Sequence, residues 1–466
     1  MNQKSNSVDI RDLQDIRTPF NVRLAGIYKR SFAYVTLKDR LPVILTKIID
    51  TFSRDKENII EKYGENAIEE VKKMIGFISK LKNEIATNKT LKPMRLLPDD
   101  STNDAEEWNK FLIKRTEIEK EIPLWFNTLW LYCECYMYRI LAQELVLMKY
   151  IKTYDPFTKS KQNAFTNSLI SIEILCSYVI DVISNKKNLS IMETKEEFMK
   201  FIKFNLWGNQ CDLSLSAGAD VGQATHPIQI LKVLDKDILA NNSEFIWNLL
   251  RKPDKNKLDI NIIDIIIDNA GYELFTDFCL AAFLITIKFA DKIRFYPKLY
   301  PWYISDASIN DIHWTIDYMK NASNECLKKF ANLIENYFKN NIWTIEIEPY
   351  WTGPYDLVGM KEHDPKLHAK LSDAKLIIFK GDLNYRKLVD DINWEYTTSF
   401  KKALRGFEPA PILAIRTVKS DVCVGIPPGV GEKLFEEDEY WMWSGKYGLI
   451  QITTAGNCQC LMNETY

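Results

Sequence analysis

The sequence predicts an α/β protein, a mostly parallel, doubly wound (Rossmann-like) sheet with a helical amino-terminal region packed on it. Two observations predict this fold class. After about residue 255, short runs rich in β-branched residues alternate with helical stretches, as expected when helices cover both faces of a parallel sheet. Before that point, apolar residues recur mainly at helical spacing.

The amino-terminal part contains four stretches that predict helices, because apolar residues recur at helical spacing or occupy several faces. These are residues 36–52, 59–81, 125–148 and 164–183. Residues 92–104 contain two prolines and a polar run, which predict a surface loop. The predicted organisation is a flexible leader over residues 1–30, a mainly helical region over residues 31–250 and an α/β domain over residues 251–466.

The carboxyl-terminal domain contains five short apolar runs that predict strands. They are residues 262–267, 292–295, 343–347, 376–379 and 411–415. Residues 272–288 and 314–338 lie between them and have helical periodicity. Strands that alternate with helices in this way favour parallel pairing.

Composition restricts the class of protein. The chain has 466 residues, with 61 Lys and Arg against 63 Asp and Glu, and 46% of its residues are hydrophobic. This charge balance argues against nucleic acid or a membrane surface as partner. We find no secretory signal and no apolar run of about 18 residues, and the nine cysteines are sparse. We therefore expect a cytoplasmic protein, with the nucleus as the alternative.

Polar residues follow four of the predicted strands, and ligands of open α/β sheets bind at the carboxyl ends of strands. In chain order these residues are Asp268 and Asn269, then Asp306, then Asp382 to Arg386, then Arg416 and Lys419. Carboxylate and amide oxygens without nearby His or Cys favour Mg²⁺ or Mn²⁺ over zinc. Arg and Lys beside such a metal suit a phosphate group. The sequence thus predicts a site for metal and phosphate in the domain 251–466.

Each of these signals has a simpler explanation when it is taken alone. Asp268 and Asp306 could cap the helices that follow them, and Arg416 and Lys419 could be solvated surface charges. A second polar cluster contains Asn209 and Asp212, whose spacing would let them point together into a cleft; on spacing alone, a turn with a helix cap is the preferred explanation. The conjunction at one sheet edge favours a site.

At these motifs the sequence resembles the metal-dependent damage-control phosphatases, in the branch of the acidic-residue (protein-glutamate) methyltransferase-like proteins. The matching stretches are SFAY with KDR near residues 31–40, LWGNQCDLSLS at 206–216, DNAGYEL at 268–274, PWYISD at 301–306, FKGDLNYRKL at 379–388 and RTVK at 416–419. They follow family order over nearly the whole chain. The two long strings are specific to the family.

The resemblance implies a divalent cation, Mn²⁺ or Mg²⁺ with Co²⁺ or Ni²⁺ as alternatives, held by Asp268, Asn269 and Asp306. It implies that a phosphosugar pocket is lined by Lys419 and by the run Asp382, Leu383, Asn384, Tyr385 and Arg386, with Asn209 and Asp212 in a supporting position. The implied activity is hydrolysis of small sugar phosphates such as fructose 1-phosphate, with fructose 6-phosphate as a further candidate. The partner is then a small phosphorylated metabolite.

These residues suggest a mechanistic hypothesis. Asp268, Asn269 and Asp306 hold the metal, which activates water for attack on phosphorus. Lys419 and Arg416 balance the phosphate charge. Asn384 and Arg386 orient the substrate, and Asp382 is a candidate for acid–base catalysis beside Asp268 and Asp306.

Two other functions stay open. The resemblance also includes transfer of a methyl group from S-adenosylmethionine to glutamates of a protein substrate, and Glu273 would then be a contact to that cofactor. No glycine-rich G-x-G loop follows a predicted strand, which counts against this activity. The third alternative is a non-catalytic binding protein on the same fold.

Overall fold

The computed structural model describes residues 13–96, 104–208, 227–252 and 260–454. Seven strands in this part of the chain form one sheet. They are β1 (Ile238–Asn241), β2 (Ile262–Ile266), β3 (Lys292–Tyr296), β4 (Trp343–Ile345), β5 (Leu376–Lys380), β6 (Ile412–Thr417) and β7 (Gly448–Thr453).

The strands lie in the order β1-β7-β6-β5-β2-β3-β4. Five adjacent strands pair in parallel, in the order β6, β5, β2, β3 and β4. Strand β7 pairs antiparallel with β6, and β1 pairs in parallel with β7. The chain proceeds outward from β2 to β4 and then returns to the other side of β2 as β5. The strand order therefore reverses between β2 and β5, where doubly wound sheets bind their ligands.

Helices flank the sheet throughout the described residues. The first eleven are α1 (Phe32–Val35), α2 (Leu41–Arg54), α3 (Lys56–Tyr63), α4 (Ala67–Ala86), α5 (Asp104–Glu119), α6 (Trp130–Val146), α7 (Thr158–Asn167), α8 (Leu169–Ser184), α9 (Ile191–Leu206), α10 (Pro227–Leu234) and α11 (Ser243–Arg251). The others are α12 (Tyr272–Thr286), α13 (Ile309–Asn321), α14 (Glu325–Lys339), α15 (Met360–His363), α16 (Pro365–Ser372), α17 (Gly381–Leu388), α18 (Phe400–Ala403) and α19 (Val430–Glu437).

Two hydrophobic cores lie on opposite faces of the sheet, because successive side chains of a strand point to opposite faces. In β5, Ile377 and Phe379 enter the core that contains α2, α4 and α6. Leu376 and Ile378 enter the other core, with α8, α9, α12, α13 and α14. The helical region therefore covers both faces, and the predicted α/β class is confirmed.

The predicted strands agree with β2 to β6 within about two residues. Three predicted helices are divided in the structure. The stretch 59–81 is interrupted at Gly64, whose φ of +86° ends α3, and 314–338 is interrupted at Asn324, whose side chain caps α14. The stretch 164–183 is divided between α7 and α8 near Ser168. Strands β1 and β7 are absent from the predictions.

The described part of the predicted flexible leader, residues 13–30, packs against the rest of the molecule, which corrects that expectation for these residues. Leu24 is fully buried, and its backbone amide donates to Asp391 O at 2.9 Å. Residues Arg23 and Ala25 form β-bridges with Ile392 and Leu129. This segment thus joins α6 to the end of α17.

Among the described residues, no single helix has the length and apolar composition to cross a membrane. Helices α7 and α8 together meet both criteria, but they are bent by 63° at their junction.

Candidate active site

The loops that follow β2 and β3 are tied together at the reversal of strand order. The amide of Ala307 donates to Asp268 O at 2.7 Å, and the amide of Ala270 donates to Ser305 O at 2.8 Å. These bonds place Asn269 opposite Asp306 in a short antiparallel bridge. The three side chains predicted to hold a metal are therefore brought together.

Polar contacts fix the orientation of Asn269. Its Nδ2 donates to Asp268 Oδ2 and to Glu273 Oε2, both at 2.8 Å, while its Oδ1 accepts from Ser305 Oγ at 2.6 Å. The amide oxygen therefore lies on the side of Ser305 and the amide nitrogen on the side of the carboxylates. Glu273, the alternative methyl-donor contact, is buried here and also pairs with Lys380 at 3.2 Å.

Gly381 allows β5 to approach this cluster. It begins α17 with a φ of +78°, a conformation that glycine adopts without the steric cost of a side chain. A Cβ at this position would lie 1.8 Å from Asp268 Oδ2. A residue with any side chain would therefore displace the Asp268 carboxylate.

Lys298 is absent from the residues predicted for the site, although it follows β3 by two residues, as Asp268 follows β2. Its side chain is buried, and Nζ donates to Ile267 O at 2.8 Å. Nζ also lies 3.3 Å from Asp306 Oδ2. That ion pair lacks hydrogen-bond geometry, so this buried oxygen has no hydrogen-bond donor among the described residues.

Acidic groups are crowded in the site, which shifts their pKa values. Burial raises the pKa of Asp268 well above its ordinary value, and the carboxylates of Asp306 and Glu273 add to the effect. Burial also raises the pKa of Asp306 to about 6, although Lys298 opposes it. Negative charges held this close in a buried place are stabilised by a nearby cation.

The donor set fits a hard divalent cation. Within the described ranges, no group of three His, Cys, Asp or Glu side chains could hold a metal ion. A site here would have to combine two carboxylates with the Asn269 amide oxygen, which is turned toward Ser305 in this structure. These are the oxygen ligands that Mg²⁺ and Mn²⁺ prefer. Asp306 Oδ2, which has an ion pair with Lys298 but no hydrogen bond, and the crowded carboxylates agree with this donor set.

Asp382, a partly buried residue of α17, pairs with the buried Arg416. Arg416 donates from Nε to Asp382 Oδ1 at 2.9 Å, and the same oxygen accepts from the Lys419 amide at 3.0 Å. Burial raises the pKa of Asp382, but Arg416, Arg386 and that amide outweigh it, so the net pKa is below its ordinary value. Asp382 is therefore ionised at neutral pH, and this geometry favours a role in holding Arg416 and residue 419 over proton donation.

The other predicted residues of α17 contact different parts of the protein. Asn384 donates to Lys380 O at 2.7 Å and to Ile267 O at 3.2 Å, which ties α17 to β2. Leu383 is buried in a core, and Tyr385 donates to Gln451 Oε1 at 2.8 Å. Arg386 is bound by Asp391 and Glu134.

The Lys419 side chain is half-buried and lies close enough to Asp268 for its positive charge to oppose the rise in the pKa of Asp268. Asn209 and Asp212 lie outside the described residues. The chain leads toward them at Gly208, where an added Cβ would lie 3.2 Å from the Glu273 Cα. Residue 208 thus packs directly on the acidic cluster.

Comparisons with known proteins identify the family of the chain. A family model described as the damage-control phosphatase ARMT1-like domain matches residues 36–434. Damage-control phosphatase ARMT1 of Xenopus tropicalis is 41% identical over 437 residues, which cover 93% of this chain and 98% of that protein. The Homo sapiens protein of the same name is 40% identical over 433 residues, covering 92% and 97%, and the Danio rerio protein is 39% identical over 436 residues, covering 92% and 96%. The chain therefore belongs to the ARMT1-like family of damage-control phosphatase domains, which confirms the resemblance of its motifs.

Proposed function

We propose that this chain is a metal-dependent phosphatase that removes phosphate from small phosphorylated metabolites. The observation that carries the proposal is the convergence of Asp268, Asn269 and Asp306, with a buried lysine beside them, at the reversal of strand order. Family membership supports the same activity. Mn²⁺ or Mg²⁺ is the proposed metal, with Co²⁺ and Ni²⁺ as alternatives to test.

Three oxygen donors of the chain would hold the metal: the Asp268 and Asp306 carboxylates and the Asn269 amide. When bound, a divalent cation neutralises phosphoryl charge and activates water at neutral pH. Glu273 and Ser305 hold the Asn269 amide with its nitrogen toward the carboxylates, so the amide would turn over to present its oxygen to a cation. Lys298 holds a positive charge against Asp306.

The phosphate would be balanced by cations on the neighbouring loop. Lys419 lies near Asp268, and its backbone is fixed through Asp382 and Arg416. Because Arg416 is already paired with Asp382, Lys419 is the better candidate for direct contact with the phosphate. Small sugar phosphates, fructose 1-phosphate above all and fructose 6-phosphate next, are the proposed substrates on the basis of the family resemblance.

The experiment is a phosphate-release assay of purified protein against a panel of metals and sugar phosphates, with chelator controls. We expect activity that requires a divalent cation. Asp268→Asn should lower it about 10³-fold, because it removes several kcal/mol of charge stabilisation at the metal. Asp317→Asn is the matched control, since Asp317 is an exposed aspartate of α13. Wild-type turnover that persists in Asp268→Asn would contradict the proposal.

A further inference from the structure

The loop between β3 and α13 delivers Asp306 through an unfavourable backbone conformation. Tyr303 and Ile304 have φ values of +43° and +70°. This left-handed region is uncommon for residues other than glycine and is a genuine outlier for β-branched isoleucine. The turn is closed by two backbone bonds, from Ser305 N to Tyr303 O at 2.8 Å and from Asp306 N to Trp302 O at 3.1 Å. Such a conformation persists only where surrounding contacts hold it.

The contacts that hold this turn come from helix α6. The Tyr303 ring stacks on Tyr138, with ring centroids 4.8 Å apart and planes inclined by 24°. Its hydroxyl donates to Glu134 Oε2 at 2.9 Å and lies 3.5 Å from Cys135 Sγ. Because Glu134 is only 6% exposed, water competes little for its carboxylate.

The same carboxylate oxygen of Glu134 also binds α17, the helix that begins at the site. Arg386, in α17, donates from Nη1 to Glu134 Oε2 at 2.8 Å. Its Nε and Nη2 donate to Asp391, and its guanidinium lies 3.6 Å from the centre of the Trp130 ring. Glu134 thus links two elements of the site. One is the turn that carries Asp306, and the other is α17, which begins at Gly381 in close contact with Asp268.

We propose that Glu134 and Tyr303 are positioning residues for the metal site: they fix the conformation of the turn that presents Asp306, and they fix the position of this turn relative to α17. Neither residue is placed to bind the metal itself. This inference rests on the proposed metal site at Asp268, Asn269 and Asp306. It assigns a part in the reaction to the helical region, through a single buried glutamate of α6.

The test measures Mn²⁺ affinity of the full chain by electron paramagnetic resonance, without substrate. Tyr303→Phe removes one hydroxyl and keeps the stacked ring, so the fold should survive while the turn loses its anchor. We expect Mn²⁺ binding weaker by about 10- to 100-fold, as for other groups that orient metal ligands. Glu134→Gln should weaken binding in the same direction, because a neutral amide holds Arg386 less strongly.

Tyr154→Phe is the matched control. The Tyr154 hydroxyl donates to the Asp55 carboxylate at 2.9 Å, so the same kind of bond is lost in a part of the helical region where it touches no predicted ligand. Its Mn²⁺ affinity should equal that of the wild type.

Each result has a distinct meaning. Wild-type affinity in Tyr303→Phe, or an equal loss in Tyr154→Phe, would overturn the inference. If Tyr303→Phe does not fold, Glu134→Gln decides in the same comparison. Wild-type protein that binds no Mn²⁺, or Asp306→Ala that binds it normally, would instead contradict the proposed metal site.

Discussion

Gly381 shows how one residue without a side chain can shape the candidate site. It combines a φ of +78° with direct contact to the Asp268 carboxylate. The positive φ would lower the stability of the protein with any other residue at this position, and the contact with Asp268 leaves no volume for a Cβ. The two effects can be separated by experiment, because another glycine of the chain has only the first.

Gly381→Ala should abolish most phosphatase activity, because the added methyl group would displace Asp268. Gly406→Ala is the control: Gly406 has a φ of +94°, and nothing lies within 4 Å of its added Cβ. Both variants should lose about 1 kcal/mol or more of stability from backbone strain. When the two variants are compared at equal concentrations of folded protein, phosphate release should fall only in Gly381→Ala. Equal activity of the two variants would show that the close contact is unimportant.

The site residues differ in how far the sequence could predict them. Asp268 and Asn269 were accessible because they lie just after β2, and Asp306 because it lies in the loop that leads from β3 to α13 at the same sheet edge. Lys298 has the same offset after β3, so the same rule could have found it. Glu134 could not be found in this way, because its place in the site depends on how α6 packs against a distant loop.

Secondary-structure elements were predicted best where local pattern and burial agree. Strands β2, β3, β5 and β6 are almost entirely buried, as expected for central parallel strands, and the buried charges of Asp264 and Arg294 pair with each other. β1 is short and only partly buried, and β7 follows a stretch without regular periodicity, so both were missed. Two of the predicted helices that are divided in the structure contain Gly64 and Asn324. Each residue is a local signal for a helix end, but the helical periodicity on both sides of it predicted one continuous helix.

Helix α4 binds a distant loop through Glu70, which gives a pH-dependent contribution to stability. Its carboxylate accepts from the amides of residues 149, 150 and 151 at 2.7 to 3.1 Å. Burial raises the pKa of Glu70, but the three amides outweigh it, so the net pKa lies below its ordinary value. The ionised form is therefore favoured by folding, and its contribution is lost as pH falls through the folded-state pKa.

Glu70→Gln should lower the free energy of unfolding at pH 7 by about 2 kcal/mol, the cost of weakening hydrogen bonds to a charged group. The difference from wild type should shrink as the pH falls below about 4, where the wild-type carboxyl is protonated in the unfolded chain and then in the folded one. Urea denaturation at several pH values measures it. Glu69→Gln is the neighbouring control, since Glu69 is exposed and pairs with Lys72 at the surface. A difference that stays constant with pH would contradict this role of Glu70.

At the scale of the whole molecule, one sheet separates two cores, and the candidate site lies at its edge between them. Helices of the amino-terminal region reach both faces. The domain boundary predicted at residue 250 stays a prediction, but β1 lies before it and pairs with β7 in the same sheet. A distant pairing of this kind leaves no local signal in the sequence.

Because the proposed metal ligands come from two loops of this sheet, metal binding should stabilise the folded chain as a whole. At 100 times its dissociation constant, Mn²⁺ should add about 2.7 kcal/mol to the free energy of unfolding. Scanning calorimetry should then show a higher melting temperature, and chelator should reverse it. Asp306→Ala should show no such shift. A shift of wild-type size in that variant would place the stabilising metal elsewhere.

The position of β1 at the sheet edge has a consequence for synthesis on the ribosome. Among the described strands, its neighbour in the sheet is β7, which leaves the exit tunnel about 200 residues later. Throughout that interval β1 has backbone groups without a strand partner, and the outer edge of β6 is in the same state from the synthesis of residues 412–417 onward. Such edges can pair with other nascent chains. Completion of this edge must therefore wait until residues 448–453 have been synthesised, and on a polysome the unpaired edge of one nascent chain lies near those of others.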